Sequence, residues 1–554
     1  MTAAPSGQAV AAWQRPAALP LLRLAIALVL LLQLGLVFTK SINWDEYFHF
    51  SQIHQHLLGR PAPWLQAPFV ALFFWVPSLP GGTIDHILVI RLLILPFELA
   101  TIAAIAGMAR RLAGRETALL CALVYVAGGY VFLHGFALRA DMVAASLLMI
   151  SLWIGLCCPL RPAEMTVAAL LAGLAFLSTI KSVLFAPAFL GVALFRLDHP
   201  AQRRVLAGVA VSLLCAGSLL LALAPHLPTS GPVGFLRDIG ELGRASIHRM
   251  FSGELLPQSG WLIRQMVFAP LFSTAIVAAL LYGCWPGRDR RERLFILLML
   301  APLATVAIYR NAFPYHYAFI LAPAAVAIAP IIHRLRLRVG AGAVAVLPLA
   351  GALCLFLAED RTVLPRQRLI DAGIHRIFSA PVVYIDNSGM AGDYPRAVAH
   401  FASGWGLHNY RRSGVPRYSQ ALRAEPVPML LANNAILRSP FGSQPYRGPL
   451  HPRDAAVLRA NYIPHWGRVF VAGRVIAPGR TPVTIQVAVP GRYTIEGGGI
   501  SVDGTNYRAG DVIMLGRGVH RIAGPRAVEV TLRWGENLPR PDFAWPSGPI
   551  YTEY

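Results

Sequence analysis

Apolar stretches of about 20 residues recur along the first 358 residues of the chain and do not occur in the remainder. A helix needs about 20 apolar residues to cross a bilayer. Only 14% of the residues are charged, whereas a soluble chain carries about 25%. The sequence therefore predicts a polytopic α-helical membrane protein with about 11 transmembrane helices. The predicted spans are residues 20–39, 84–108, 117–135, 142–157, 165–179, 183–196, 205–224, 262–283, 294–309, 316–333 and 340–358.

Loops rich in Arg alternate with loops that hold few cations. Cytoplasmic loops are normally enriched in Lys and Arg, so the Arg-rich loops are assigned to the cytoplasm. This predicts a multi-pass protein of the bacterial inner membrane with a cytoplasmic N-terminus and a periplasmic C-terminal domain. It also explains much of the net charge of +22, so nucleic acid is not a predicted partner. The Arg-rich loops are residues 110–115, 160–162, 196–204, 286–293 and 333–338.

The C-terminal domain shows two successive patterns. Apolar stretches at 379–390 and 426–434 alternate with helical sequence, which predicts an α/β region. Later residues form short alternating runs separated by Gly and Asp-Gly turns, which favour a β-sandwich-like region. The predicted domains are a membrane domain at 1–358, an α/β region at 359–460 and a β-sandwich-like region at 461–554.

The first non-cytoplasmic loop, residues 40–83, carries two adjacent carboxylates, Asp45 and Glu46. The residues after them alternate apolar side chains with His, which predicts an amphipathic helix lying on the membrane. A carboxylate held there could act as general base on a sugar hydroxyl. The alternative interpretation of the same pattern is a solvated loop with an acidic turn.

Four cations stand beside spans on the cation-poor side: Lys40, Arg139, Lys181 and Arg310. They include both lysines of the chain, and a phosphate group at the interface would explain their position. Snorkelling of a long side chain is the alternative for the lysines. Asp141 starts the fourth predicted span, where helix capping, pairing with Arg139 or a catalytic role are all consistent with its position.

Several further polar residues are candidates for the same face. Arg91 and Glu98 lie two turns apart within a span, and this spacing predicts an ion pair. No metal-ligand pattern occurs near the acidic pair, so no metal site and no cofactor are predicted. The additional candidate substrate-binding residues are Tyr47, His49, His316 and Tyr317.

The order of these motifs resembles that of the GT-C membrane glycosyltransferases, in particular the protein O-mannosyltransferase and aminoarabinose (lipid A) transferase branch. The resemblance covers about residues 20–335. The motifs that carry it are WDE at 44–46, RLL at 91–93, ALRAD at 137–141, TIKS at 179–182, and an arginine ahead of PYHY at 314–317.

This resemblance implies transfer of a sugar from a polyprenyl (undecaprenyl) phosphate to a periplasmic acceptor. Asp45 would be the base or acceptor-orienting group, with Glu46 as the second acid and Asp141 as the later one. The other implied roles are neutralisation of the leaving phosphate by Lys181 and Arg310, and placement of phosphate or sugar by His316 and Tyr317.

Direct displacement assisted by one carboxylate predicts inversion at the anomeric carbon. Two departures from the family pattern, WLQAPFVALFFW at 64–75 and Ser182 after the lysine, leave the sugar and the acceptor open. The acceptor could be lipid A, another envelope glycan or a protein. A transporter or flippase of a lipid-linked substrate is the second hypothesis, and a non-catalytic envelope-assembly protein is the third.

Overall fold

The computed structural model describes residues 18–59, 67–196, 255–287, 289–398, 404–442, 446–478, 482–524 and 527–552. The predicted span 205–224 lies outside these residues, as does part of the first loop. The helices up to residue 196 are α1 Ala18–Thr39, α2 Trp44–Leu57, α3 Ala67–Ala71, α4 Thr83–Ala113, α5 Arg115–Val126, α6 Tyr130–His134, α7 Ala140–Cys157, α8 Pro162–Ser178 and α9 Ala186–Phe195. Those from 259 to 358 are α10 Ser259–Phe268, α11 Pro270–Cys284, α12 Arg290–Leu300, α13 Pro314–Ala327, α14 Ala329–Val339 and α15 Ala341–Ala358.

Four of the described helices, α1, α4, α7 and α15, are long and apolar enough to cross a membrane. Two further pairs qualify as bent spans: α10 with α11, which meet at 106°, and α13 with α14, which meet at 63°. In both pairs a proline stands at the start of the second helix, where its missing N–H costs no hydrogen bond. The chain is therefore a multi-pass membrane protein, while the total of 11 spans stays a prediction.

The predicted continuous span 117–135 is wrong, because the chain breaks after α5. Gly129 has a φ of +61°, which a residue with a side chain rarely adopts. The break lets α6 turn away from α5. It also separates α5 from the loop that leads to α7, on which the site described below depends.

The predicted amphipathic helix is α2. Asn43 caps its start, because its side chain accepts from the Asp45 N–H at 2.9 Å while the Glu46 carboxylate accepts from the Asn43 N–H at 3.0 Å. The helix is not open on one face as expected. Tyr47 and Phe50 are buried, and so is polar Ser51, because the C-terminal domain covers the helix.

The C-terminal domain begins with helix α16, Val363–Ile377, and continues through β1 Tyr384–Ile385, α17 Gly404–Ser413, α18 Arg417–Ala424, β2 Met429–Leu431, α19 Ala435–Arg438 and α20 Pro452–Asn461. The remaining strands are β3 Tyr462–Trp466, β4 Val469–Ile476, β5 Val483–Val487, β6 Gly491–Glu496, β7 Ile500–Val502, β8 Thr505–Tyr507, β9 Val512–Leu515, β10 Gly518–Ala523 and β11 Val530–Trp534.

Two sheets form this domain. The larger has the order β1-β2-β4-β11-β6-β9, with β3 also paired to β4, and the smaller has the order β5-β10-β7-β8. Strands β1 and β2 are parallel, whereas the later pairs are antiparallel. Ile485, Ile495 and Ile522 lie in the apolar core that strands of both sheets share. Because β2 pairs with β4, the larger sheet runs from the predicted α/β region into the predicted β region.

The junction between the two parts of the molecule is polar and closely bonded. The Gln367 side chain bonds both backbone groups of Ile42, at 2.8 and 2.9 Å, and also donates to the Ile550 carbonyl oxygen at 2.9 Å. The hydroxyls of Ser41 and Thr552 are 2.8 Å apart. The segment before α2 is thus held by residues from the beginning and the end of the C-terminal domain.

Candidate functional site

The two adjacent carboxylates at the start of α2 point in different directions. Glu46 is 1% exposed and faces Arg91 of α4, whose guanidinium donates to its two oxygens at 2.8 and 2.6 Å. The Leu138 N–H also donates to this carboxylate, at 2.9 Å. Burial raises the pKa of Glu46, but Arg91 and these hydrogen bonds outweigh it and bring the pKa below its ordinary value. Glu46 is therefore ionised and fully bonded.

Asp45 belongs to a second, more open group of charges, which we call the charge cluster: Asp45, Arg139, Asp141 and Lys181. The guanidinium of Arg139 contacts Asp45 and donates to Asp141 at 3.2 Å. The Lys181 ammonium donates to the other oxygen of Asp141 at 2.7 Å. The side chains are 8–13% exposed, so they are reachable without being fully solvated.

The chain supplies each member of the charge cluster from a helix end. Asp45 is in the first turn of α2, and Asp141 is in the first turn of α7, where the helix dipole favours a carboxylate. Arg139 is the residue before α7. Lys181 lies in the 3₁₀ turn Ile180–Phe185 between α8 and α9, and this short turn brings it back toward α7. Two cations and two carboxylates thus meet without any being placed deep inside a span.

Aromatic rings form one wall of the charge cluster. The Arg139 guanidinium carbon lies 3.2 Å from the Tyr315 ring centroid, and the Lys181 nitrogen lies 4.8 Å from it. Tyr309 is also near, with its ring centroid 6.0 Å from the Lys181 nitrogen. Cations above an aromatic face are stabilised by the ring quadrupole and remain charged.

His49 follows Asp45 by one helical turn and is 5% exposed. Burial, together with the positive charge of Arg139, lowers its pKa to about 4. Its Nδ1 is buried and has no hydrogen-bond partner among the described residues. At neutral pH His49 is consequently a neutral imidazole beside the charge cluster.

The other predicted site residues take several positions. Lys40 donates to both oxygens of Glu359, at 2.8 and 2.9 Å, at the beginning of the C-terminal domain. The Tyr47 ring lies 6.2 Å from that of Tyr551, toward the same domain. Arg310 is exposed.

His316 and Tyr317 follow one another on α13 and point to different neighbours. His316 is fully buried, and its Nε2 is 3.2 Å from the Thr305 hydroxyl. Tyr317 packs against the Tyr130 ring, with centroids 5.4 Å apart. The His316 ring lies 4.7 Å from that of Tyr309, whose ring in turn lies 6.0 Å from the Lys181 nitrogen of the charge cluster.

Comparisons with known proteins address the fold. No family model and no curated protein sequence matches the chain. The structure is similar to that of ArnT from Cupriavidus metallidurans bound to undecaprenyl phosphate, with a TM-score of 0.55 and 15% identity over 82% of this chain and 98% of that chain. The chain has the GT-C fold.

Two archaeal structures support the same assignment. The apo oligosaccharyltransferase from Archaeoglobus fulgidus has a TM-score of 0.51 and 13% identity, over 76% of this chain and 70% of that chain. The oligosaccharyltransferase AglB from the same organism, in complex with an inhibitory peptide and a dolichol-phosphate, has a TM-score of 0.51 and 12% identity over 74% and 69%. The GT-C resemblance drawn from the motifs is thereby confirmed at the level of the fold.

Two features of this GT-C chain were missed in the sequence. The predicted ion pair between Arg91 and Glu98 is wrong: Arg91 bonds Glu46, and Glu98 accepts from Gln33 at 2.9 Å. Helical spacing favoured the local pair, whereas the observed partner is 45 residues away. Tyr315 belongs to the PYHY motif but is not among the predicted site residues, and its place directly before His316 is the only sequence signal of its role.

Proposed function

We propose that this protein is a glycosyltransferase that moves a sugar from a polyprenyl phosphate, such as an undecaprenyl phosphate, to an acceptor on the periplasmic side of a bacterial inner membrane. The observation that carries the proposal is the charge cluster: two carboxylates and two cations meet at helix ends within a GT-C fold. The bound lipid phosphates of the similar structures support the donor class.

Asp45 is the proposed general base. It is the more exposed member of the acidic pair, and α2 fixes its backbone through the Asn43 cap. A carboxylate in this position can accept the proton of the attacking hydroxyl as the new glycosidic bond forms. Attack from the face opposite the leaving phosphate inverts the anomeric centre. A product of retained configuration would exclude this step.

Arg139 and Lys181 are the proposed phosphate-binding pair. The leaving group is a lipid phosphate, whose negative charge grows as the bond to the sugar breaks, and fixed cations stabilise that charge most in a poorly solvated site. Asp141 would act chiefly by positioning, because it accepts a hydrogen bond from each cation and holds them together. A phosphate would join this arrangement as an additional acceptor.

Glu46 is proposed to position Asp45 rather than to react. Arg91, Leu138 and the helix cap donate to its oxygens, so each oxygen already accepts two hydrogen bonds. Roles for the remaining predicted residues in substrate binding stay predictions: Lys40, Tyr47, His49, Arg310, His316 and Tyr317. Lipid A, another envelope glycan and a protein all stay candidate acceptors.

The test is sugar transfer from a defined polyprenyl-phosphate sugar pool to envelope extract, with purified full-length protein. Asp45→Asn should abolish donor consumption while leaving the thermal unfolding midpoint unchanged. Asp511→Asn is the matched control, since it neutralises an exposed aspartate of the C-terminal domain far along the chain. If wild type consumes no donor but moves a lipid-linked sugar across vesicles, the protein is a transporter and the proposal fails.

A further inference from the structure

A second group of polar side chains lies at the junction of the C-terminal domain and the membrane domain, apart from the charge cluster. Asp371 and His375 are four residues apart on α16 and so share one helical face. Asp393 joins them from the segment after β1. One possible ligand atom of each residue lies within 4.8 Å of those of the other two.

Both ring nitrogens of His375 face hydrogen-bond acceptors, but a neutral ring carries only one N–H and cannot donate to both. Its Nδ1 is 2.8 Å from the Asp371 carbonyl oxygen, which can only accept, so Nδ1 carries a hydrogen. Its Nε2 is 2.6 Å from Oδ2 of Asp393, a carboxylate oxygen that is also an acceptor. The Nε2 lone pair of a neutral histidine would face this oxygen directly. A second proton satisfies this contact at its observed length, and a metal ion bound to both atoms satisfies it once they move apart to its bond lengths.

Asp371 supplies the second observation. Its Oδ1 is buried and has no hydrogen-bond partner among the described residues, although it lies 3.8 Å from His375 Nδ1. A buried carboxylate oxygen without a partner is costly, and no described protein group offsets that cost here. Its other oxygen lies against Gly82, at 3.2 Å from where a Cβ would stand. The carboxylate is therefore held at this junction.

We propose that Asp371, His375 and Asp393 form a site for a divalent transition-metal ion, with zinc as the ion that suits it best. One imidazole nitrogen and two carboxylate oxygens are ligands that zinc accepts, at about 2.0–2.2 Å, with water completing the tetrahedron. Tetrahedral bonds of that length place ligand atoms about 3.3–3.6 Å apart, so small side-chain rotations bring the three together. The Nδ1 hydrogen bond to the Asp371 carbonyl selects the tautomer that leaves Nε2 free to bind the ion.

The surroundings indicate what such an ion does. Oδ1 of Asp393 accepts from the Thr83 hydroxyl at 3.0 Å, and Thr83 is the first residue of α4. Two turns later α4 carries Arg91, which holds Glu46. An ion bound to Asp393 would fix the carboxylate that bonds Thr83, and so would hold the C-terminal domain against the helix that carries Arg91. This role is independent of whether the protein transfers a sugar.

The alternative is a doubly protonated His375 paired with Asp393, with no metal. The two states differ in their need for Asp371, since the ion pair uses only its backbone carbonyl. Asp371→Asn keeps a side chain of the same size and leaves the His375–Asp393 contact in place. It removes one anionic ligand and should weaken zinc binding at least tenfold.

The experiment uses tag-free, full-length protein that has been treated with EDTA and dialysed, with ZnCl₂ alone as the probe. We expect about one zinc per chain by elemental analysis after re-addition, and a rise of several degrees in the unfolding midpoint. Asp371→Asn and His375→Gln should lose both effects. Asp542→Asn is the control, because Asp542 is exposed and pairs with Arg376, the residue that follows His375 on α16.

Three outcomes would overturn the proposal. The first is wild-type protein that folds normally but retains no stoichiometric zinc. The second is an Asp371→Asn protein that binds zinc as tightly as wild type, which would place the ion elsewhere. If His375→Gln does not fold, the zinc contents of wild type and of Asp371→Asn still test the proposal. Loss of zinc from Asp542→Asn as well would show nonspecific binding and would equally refute the site.

Discussion

Asp45 and Glu46 are neighbours in the sequence but belong to two regions with opposite designs. The region around Glu46 is closed: its side chain and that of Arg91 are 2% and 1% exposed, and the described groups satisfy every oxygen of the carboxylate. The region around Asp45 is partly open, and its charges share partners with one another. The buried Glu46–Arg91 pair fixes the position of the backbone around it, whereas the accessible charge cluster can replace one of its internal contacts with a contact to a substrate.

The largest expected effect is a loss of stability when the buried ion pair of Arg91 and Glu46 is broken. Arg91→Met leaves Glu46 buried without its countercharge, and breaking such a pair costs about 3–5 kcal/mol. We expect low yield and a strongly lowered unfolding midpoint in detergent, measured by intrinsic fluorescence. Arg139→Met is the matched control from the open region and should lower the midpoint far less. Equal losses in the two variants would show that the regions do not differ.

The second effect is on turnover. Lys181→Met removes one of the two cations of the charge cluster, and loss of one electrostatic donor typically lowers kcat by about 10²–10³. Lys181→Arg keeps the charge and should restore part of the activity. Steady-state kinetics with a polyprenyl-phosphate sugar check this, with kcat and KM determined separately. A normal kcat in Lys181→Met would remove the lysine from the proposed mechanism.

The third effect depends on pH and on His49, which lies beside both regions. Its pKa is about 4 in the folded protein and about 6.5 when unfolded. The unfolded chain therefore binds the extra proton between these values, so stability is complete above pH 7 and falls as the pH drops through 6.5 toward 4. The loss at pH 5 should be about 2 kcal/mol.

His49→Gln is the comparison variant for this measurement. The His49 ring faces the charges of Asp45, Arg139, Asp141 and Lys181. Wild type and His49→Gln both keep these charges. Unfolding midpoints at pH 7.5 and pH 5 should diverge more for wild type than for His49→Gln. Parallel shifts in the two proteins would assign the acid sensitivity to other groups.

The smallest effect concerns the aromatic wall. Tyr315→Leu removes the ring beneath Arg139 and Lys181, and such cation–π contacts contribute about 0.5–2 kcal/mol. We expect a rise of about three- to tenfold in KM for the donor with a smaller change in kcat. Tyr315→Phe keeps the ring and should behave as wild type. If it does not, the hydroxyl rather than the ring face is the important group.

Local sequence patterns predicted what depends on local physics. The apolar runs identified the four long described spans α1, α4, α7 and α15, and the motifs around Asp45, Arg139, Asp141 and Lys181 identified residues that do meet in the structure. The GT-C fold followed from the order of those motifs. Turn signals likewise located the late strands of the C-terminal domain.

Long-range features were not predictable in the same way. Arg91 pairs with Glu46 rather than Glu98 because the first loop folds back against α4. The periodicity of the sequence does not predict this long-range contact. The break after α5 looked like a continuous apolar run, because two glycines carry little hydropathy signal. The Asp371–His375–Asp393 group unites residues from a helix and a distant loop, so its spacing matched no metal pattern.

The bonds that join Ser41 to Thr552 and Ile42 to Gln367 set the order in which the molecule can be completed. Ser41 and Thr552 are 511 residues apart in sequence. At about 5–20 residues per second, the ribosome needs roughly 25 s or more to make that interval. During this time the first loop, which carries Asp45 and Glu46, lacks its bonds to the C-terminal domain. It reaches its final geometry only after that domain has been translated. A chain released before its last residues are translated would thus contain every residue of the charge cluster, while the loop that carries Asp45 would lack its bonds to the C-terminal domain.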